Sequence, residues 1–177
     1  MPSVDSIATA FAHLYSGLQQ RRLTKAKKMS GWNEQKLLPL VRFYLFGRFG
    51  TILQPEFQIS TCSTQKTKGR LDFLIGKVAV EFAVRNDGKG RGNVSSRMNR
   101  PEVRKLSYYP GKSVLVLFDF STQPYSRREL NEFRRMKPFI DPLGKPSAFN
   151  VLYYNVSAAQ DRPYFKLNVR PPASSDG

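Results

Sequence analysis

The sequence predicts one α/β domain built on a mixed sheet flanked by helices, and three observations carry that expectation. Apolar residues recur at helical spacing in the first fifty positions. Two runs of alternating apolar character meet at a tight turn around Gly76, and the nearly unbroken apolar run Ser113–Phe120 reads as a strand buried on both faces. The 177 residues are enough for one sizeable core and a decorated terminus, but not comfortably for two domains.

Ile7, Phe11, Leu14, Tyr15 and Leu18 share a helical face behind Asp5 or Ser6 as cap, which predicts an extra N-terminal helix. A basic stretch, Arg21–Lys28, follows it, so residues 1–30 read as an N-terminal addition and 31–170 as the main domain with its C-terminal extension. A second helix is expected over roughly Asn33–Phe46, with Leu37, Leu38, Val41, Tyr44 and Leu45 on one side. Pro39 complicates it: an interior proline costs about 3 kcal/mol, which moves the expected start of regular helix toward Leu38. Gly47 and Gly50 are expected to stop it. Thr51–Ser60 reads as extended, 61–68 as a polar loop and Asn86–Ser96 as a mobile loop. Asn99 and Glu102 stand at capping-box spacing before a helix carrying Val103 and Leu106 and ended by Pro110-Gly111. Ser126 and Glu129 form a second capping box, opening a helix to about Met136. Asn150–Val156 and Tyr164–Val169 supply C-terminal strands, and residues 171–177 a flexible tail.

Charge narrows the partner. Lys and Arg number 29 against 13 acids, a formal net charge of +16, and such self-repulsion is relieved by a polyanion, with nucleic acid the default. DNA is expected ahead of RNA, bound by the protein alone, as a homodimer or within a larger nucleoprotein complex. The basic residues are spread along the chain instead of lining one amphipathic helix, so no membrane partner is expected. With no spanning apolar run and no leader pattern, the expected location is cytoplasmic or nucleoid-associated. Cys62 and His13 are alone of their kinds, which excludes internal disulfides, thiolate or imidazole zinc sites and Ser-His-Asp triads. A metal, if present, must have oxygen ligands.

The chemistry is concentrated in the hairpin Asp72–Glu81. Gly76-Lys77 as a two-residue turn sets Ile75 opposite Val78, Leu74 opposite Ala79, Phe73 opposite Val80 and Asp72 opposite Glu81, with Cβ atoms roughly 5 Å apart. The same register gathers Leu71, Phe73, Ile75, Val78, Val80, Phe82 and Val84 on one apolar face and leaves the two acids on the wet side. Arg70 falls opposite Ala83 and Lys68 opposite Arg85. Two like charges across a hairpin are destabilising, so the pair calls for a reason. A structural ion network with Arg70 or Arg85 is one; a divalent cation, Mg²⁺ or Mn²⁺, completed by water and phosphate oxygens, is the other.

Gly-Arg-Leu-Asp72, a turn, then Val-Ala-Val-Glu81 resembles the second and third core strands of the restriction-endonuclease-like PD-(D/E)XK nucleases. The resemblance spans roughly Asn33–Phe120 in the order α-β-β-β-α-β, including Pro55-Glu56 on the first strand and a helix ending Leu106-Ser107-Tyr108-Tyr109. It implies a Mg²⁺-dependent DNA endonuclease or nuclease subunit in which Asp72 and Glu81 hold the metal and Glu34 completes the site. Nucleases of this type carry a lysine two residues after the Glu, where this chain has Ala83. Arg70, Arg85 and Lys105 are the candidates to replace it, arginine as a fixed charge only. If none does, the chain is an inactive pseudo-nuclease that binds DNA or RNA or assembles a complex. Expected nucleic-acid contacts are Lys68, Lys89, Arg91 and Arg97 around the glycine-rich loop, and Arg127, Arg128, Arg134 and Arg135 on the last helix. Tyr108, Tyr109, Tyr153 and Tyr154 read as packing groups more than as base-stacking platforms.

Overall fold

Six strands form one mixed sheet in sequence order in the computed structural model, which describes residues 1–20, 32–60, 68–87, 99–135 and 147–170. Helix α1 (Val4–Leu18) and helix α2 (Glu34–Phe49) precede β1 (Leu53–Ser60), β2 (Lys68–Ile75) and β3 (Val78–Arg85). Helix α3 (Arg100–Tyr108) connects β3 to β4 (Lys112–Asp119); the short α4 (Arg127–Asn131) runs into a tight turn at Glu132–Arg135, and β5 (Phe149–Tyr154) and β6 (Phe165–Val169) complete the sheet. Strands β1, β2 and β3 are successively antiparallel, β3, β4 and β5 are parallel, and β6 returns antiparallel. The expected order α-β-β-β-α-β runs from Glu34 to Asp119.

Each face of the sheet has its own core. On one, Phe73, Ile75, Val78, Val80, Phe82, Val114, Val116 and Phe118 meet Ile7, Phe11 and Tyr15 of α1 and Leu37, Val41 and Leu45 of α2. The other gathers Ala79, Ala83, Leu115, Leu117, Val151 and Tyr153 under Val103 and Leu106 of α3 and Leu130 and Phe133. Helix α1 is therefore a structural half of the first layer and not an appendage: the Tyr154 hydroxyl donates to Ala8 O, and that of Tyr15 to Asp119 O. The tyrosines 153 and 154 are fully buried, which removes them from any base-stacking role. No helix among the described residues is long and apolar enough to cross a membrane.

Several boundaries differ from expectation for local reasons. Ser3, not Asp5 or Ser6, caps α1, in a capping box with Ser6. Helix α2 starts at Glu34 behind Asn33, whose Oδ1 accepts from Lys36 N at 3.0 Å, and runs straight through Pro39. The bond that Pro39 cannot donate belongs to the carbonyl of Gln35, four residues back in the exposed first turn, where loss of the bond costs least. The helix passes Gly47 and stops at Gly50, which adopts φ 59°. Asn99 caps α3 without a side-chain bond, so the expected capping box with Glu102 is absent, whereas the Ser126–Glu129 box is present. The last helix is only five residues before its tight turn. The glycine-rich loop, the basic stretch after α1 and the C-terminal tail lie outside the described residues.

Candidate acid and lysine site

The turn at Gly76-Lys77 forms as the spacing requires. Gly76 has φ 61°, a left-handed value that glycine adopts without strain, and the register Ile75↔Val78, Leu74↔Ala79, Phe73↔Val80 is observed. Pairing then stops. Strands β2 and β3 both continue, to Lys68 and Arg85, but not as neighbours in the ladder.

The reason lies one strand away. Glu56 in β1 holds φ 54°, an uncommon conformation for a residue with a Cβ, and it occupies the step between the pairs Pro55↔Phe73 and Phe57↔Leu71, level with Asp72. Both strands change faces there. Leu53 and Phe73 belong to the core beneath α1 and α2, whereas Phe57, Ile59 and Leu71 pack in the core beneath α3. The expectation that Leu71 shares a face with Phe73 is thus corrected: β1 and β2 bend together and leave β3, which opens a cleft between β2 and β3 beginning at Asp72 and Glu81.

Two groups fill the cleft in place of ladder bonds. The Asp72 carboxylate accepts from Phe82 N at 2.8 Å, standing in for a strand carbonyl. Lys105, from α3, sends its ammonium between the strands, donating to Arg70 O at 2.9 Å and Glu81 Oε2 at 2.7 Å. Val103 and Leu106, buried on either side of Lys105 in sequence, anchor the helix above the site. The acids are not both on a wet face: Asp72 is half-buried and Glu81 wholly so. Glu81 is 1% exposed, since α3 covers this side of β3.

Burial shapes the electrostatics. Desolvation first, and the charge of Asp72 second, push the Glu81 carboxyl up to about 9 against the pull of Lys105. Glu81 Oε1 is buried without a hydrogen-bond partner. Asp72 is also raised by burial, partly offset by the Phe82 N–H and by Lys105. Glu34, at the first turn of α2, keeps an exposed surface, yet its carboxyl end is crowded: desolvation, then Asp72 and Glu102, push it up to about 7. Glu102, one turn before Lys105 on α3, presents a second buried oxygen without a partner, Oε2. It bears electrostatically on Glu34, Asp72 and Glu81. Glu34, Asp72, Glu81 and Glu102 are therefore coupled electrostatically, and the Lys105 ammonium, in contact with Glu81, bears on the first three.

Of the expected site residues, Asp72, Glu81, Glu34 and Lys105 come together. Arg70 does not join them: its side chain turns toward β1 and pairs with Glu56 at 3.1 Å, beside Arg42 at 2.8 Å. Arg85 does not either. It bonds Asp119 Oδ2 at 2.8 Å, Ser121 Oγ at 2.9 Å and Gln123 O at 2.7 Å, with its guanidinium 4.1 Å from the Tyr125 ring centre. The expected pairings Asp72–Glu81, Arg70–Ala83 and Lys68–Arg85 all fail because the ladder ends at Phe73↔Val80, although Asp72 still bears electrostatically on Glu81. Arg127, Arg128 and Arg134 are exposed on α4 and the turn after it; Lys68 opens β2 and Arg135 closes that turn, while Lys89, Arg91 and Arg97 lie outside the described residues. The capping-box spacing accounts for Glu102 in sequence terms, and its i, i+3 relation to Lys105 is the signal that ties it to the site.

The donor set suits a hard divalent cation: it is all oxygen, its carboxyl groups outnumber its one ammonium, and two of its buried oxygens lack partners. Among the described residues no three carboxylate, imidazole or thiolate groups are gathered about one ion position, so the fit is to a carboxylate pair supplemented by water or phosphate oxygens. No family model, curated protein or solved structure matches this chain.

Proposed function

We propose that the chain is a nucleic-acid-binding protein of the PD-(D/E)XK, restriction-endonuclease-like type, acting as a metal-dependent nuclease on DNA phosphodiesters. The observation that carries this reading is the insertion of Lys105 between β2 and β3, which brings a lysine ammonium to Glu81 although position 83 is alanine. The element order from Glu34 to Asp119 and the opened hairpin support it, and the net charge of +16 supports a polyanionic substrate.

In this reading Asp72 and Glu81 hold Mg²⁺ or Mn²⁺, which when bound supplies positive charge at the scissile phosphate and acidifies a coordinated water. The chain's own residues do the rest. Lys105, pinned by Arg70 O, presents its ammonium beside Glu81 as a fixed positive charge for a phosphate oxygen. Asp72 is oriented by Phe82 N–H, so its free oxygen has a defined direction. Glu34 is poised to exchange a proton near neutral pH, where a general base works best.

The test is nicking of supercoiled plasmid in Mg²⁺ or Mn²⁺ by the unmodified chain, Asp72→Ala and Lys105→Ala. Loss of nicking in both variants, with binding in EDTA retained, is the expected result. Nicking that survives Asp72→Ala refutes the site. A chain that binds duplex but never cuts is the inactive binding module instead.

A further inference from the structure

A groove of about 440 Å³ lies at the far edge of the sheet, lined by Arg134, Lys166, Leu167, Asn168, Val169 and Arg170. Among the described residues strand β6 pairs with β5 alone, which leaves its outer edge without a strand partner. Its residues alternate as a half-buried strand should: Leu167 and Val169 enter the core under Leu130 and Phe133, whereas Lys166, Asn168 and Arg170 are exposed. Arg134 approaches from the turn after α4. Cations along a free edge also discourage unwanted strand pairing, but that role requires neither a concavity nor an arginine from a second element facing it. The exposed Arg127 and Arg128 continue the basic surface along α4, where the Arg127 guanidinium lies 6.0 Å from the Tyr164 ring centre. Lys166 is shared with Asp5 of α1, an exposed pair that a phosphate can displace at little cost.

We infer that this groove is a separate binding site for the phosphodiester backbone of nucleic acid, remote from the acid and lysine cluster. Three strand spacings, roughly 14 Å, separate β3 from β6, so the two sites contact different parts of one ligand. Among the described residues the groove's lining carries no carboxylate, although Asp5 meets Lys166 from α1, and the groove therefore anchors the backbone without cutting it. Phosphate contacts of this sort fix position and orientation and carry no sequence information. The inference rests on nucleic acid being the partner, but not on cleavage.

The experiment measures binding of a fluorescein-labelled 20-base-pair DNA duplex by anisotropy in EDTA, so that catalysis plays no part. The Arg134→Gln/Arg170→Gln double variant is compared with Arg48→Gln/Lys77→Gln, which removes the same charge from exposed positions on α2 and the β2–β3 turn; both leave the Lys166–Asp5 pair intact. The groove variant is expected to weaken binding on the order of tenfold near 100 mM salt and to flatten the log–log salt slope by about 1.8, for two lost phosphate contacts. The control variant is expected to change affinity less than about twofold. Equal losses in the two variants, or none in the groove variant, overturn the inference. So does a groove variant that keeps DNA affinity but loses binding of labelled polyglutamate, which would assign the edge to an acidic peptide. An Asp72→Ala chain that still nicks plasmid, while the groove variant behaves as expected, would refute the nuclease site and leave the groove standing.

Discussion

The buried Glu81 carboxyl makes the folded state weaker as pH rises, and Glu81→Gln should remove that weakness. Unfolded, this carboxyl titrates near its ordinary 4.5; folded, it keeps its proton to about 9 because burial and Asp72 oppose ionisation. Between those values the native state binds more protons than the unfolded one, so stability is fully present below about pH 4.5 and falls with each unit above it. One unit of pH is worth at most about 1.4 kcal/mol for a single group. From pH 5 to pH 8 the loss attributable to Glu81 is therefore up to about 4 kcal/mol, less whatever the Lys105 contact and local relaxation recover, a large share of a typical total of roughly 5–15 kcal/mol. Glutamine has the same shape, can still accept from Lys105 and does not titrate. Urea unfolding followed by the fluorescence of Trp32, the single tryptophan, should give a wild-type midpoint that falls from pH 5 to pH 8 more steeply than that of Glu81→Gln. At pH 8 the variant should be the more stable protein, although inactive. Parallel pH profiles for the two proteins would refute the argument that Glu81 is buried beside Asp72 without full compensation.

Other consequences follow from the same geometry. Lys105→Met leaves Arg70 O and Glu81 Oε2 without their donor and should cost roughly 1–3 kcal/mol in urea unfolding, while abolishing plasmid nicking and changing duplex affinity little. A divalent cation needs ionised ligands, so Mg²⁺ affinity, followed by the thermal shift on titration, should climb between pH 6 and pH 9 as Glu34 and Glu81 release protons near about 7 and about 9; a pH-independent shift would contradict a site made of these acids. Asp119→Ala removes a buried carboxylate that accepts from Arg85, Ser121 and Tyr153. With Arg85, only 20% exposed, left without its carboxylate partner, a loss of roughly 3–5 kcal/mol is expected in urea unfolding, with nicking per folded molecule unchanged, because that network lies apart from Lys105.

Local rules carried much of this architecture. Gly76-Lys77 needed a left-handed first residue and received glycine, and that one turn dictated the register from Phe73↔Val80 to Ile75↔Val78. Ser126 and Glu129 marked their helix start, and the apolar run after Lys112 could satisfy itself only as a strand covered on both faces. These are short-range matters in which backbone sterics and side-chain period leave few choices. The nearness of Asp72 to Glu81 was legible for the same reason, although the ladder stops one step short of pairing them.

What lay beyond the sequence was the departure from regularity. A ladder extrapolated past Phe73 predicted Arg70 opposite Ala83 and Lys68 opposite Arg85; the left-handed Glu56 in a neighbouring strand bent β1 and β2 away and cancelled both pairs. Which cation would answer the buried acids was then a contest among groups distant in sequence. Arg70 went to Glu56, Arg85 to the buried Asp119, and Lys105 remained over the cleft because Val103 and Leu106 fasten its helix there. Local pattern determined the strands, their turn and the two carboxyl groups, since these depend on neighbours a few residues away. Only the packed structure decided how deeply those groups are buried and which ammonium meets them, because desolvation and ion pairing are set by every element that closes over the site.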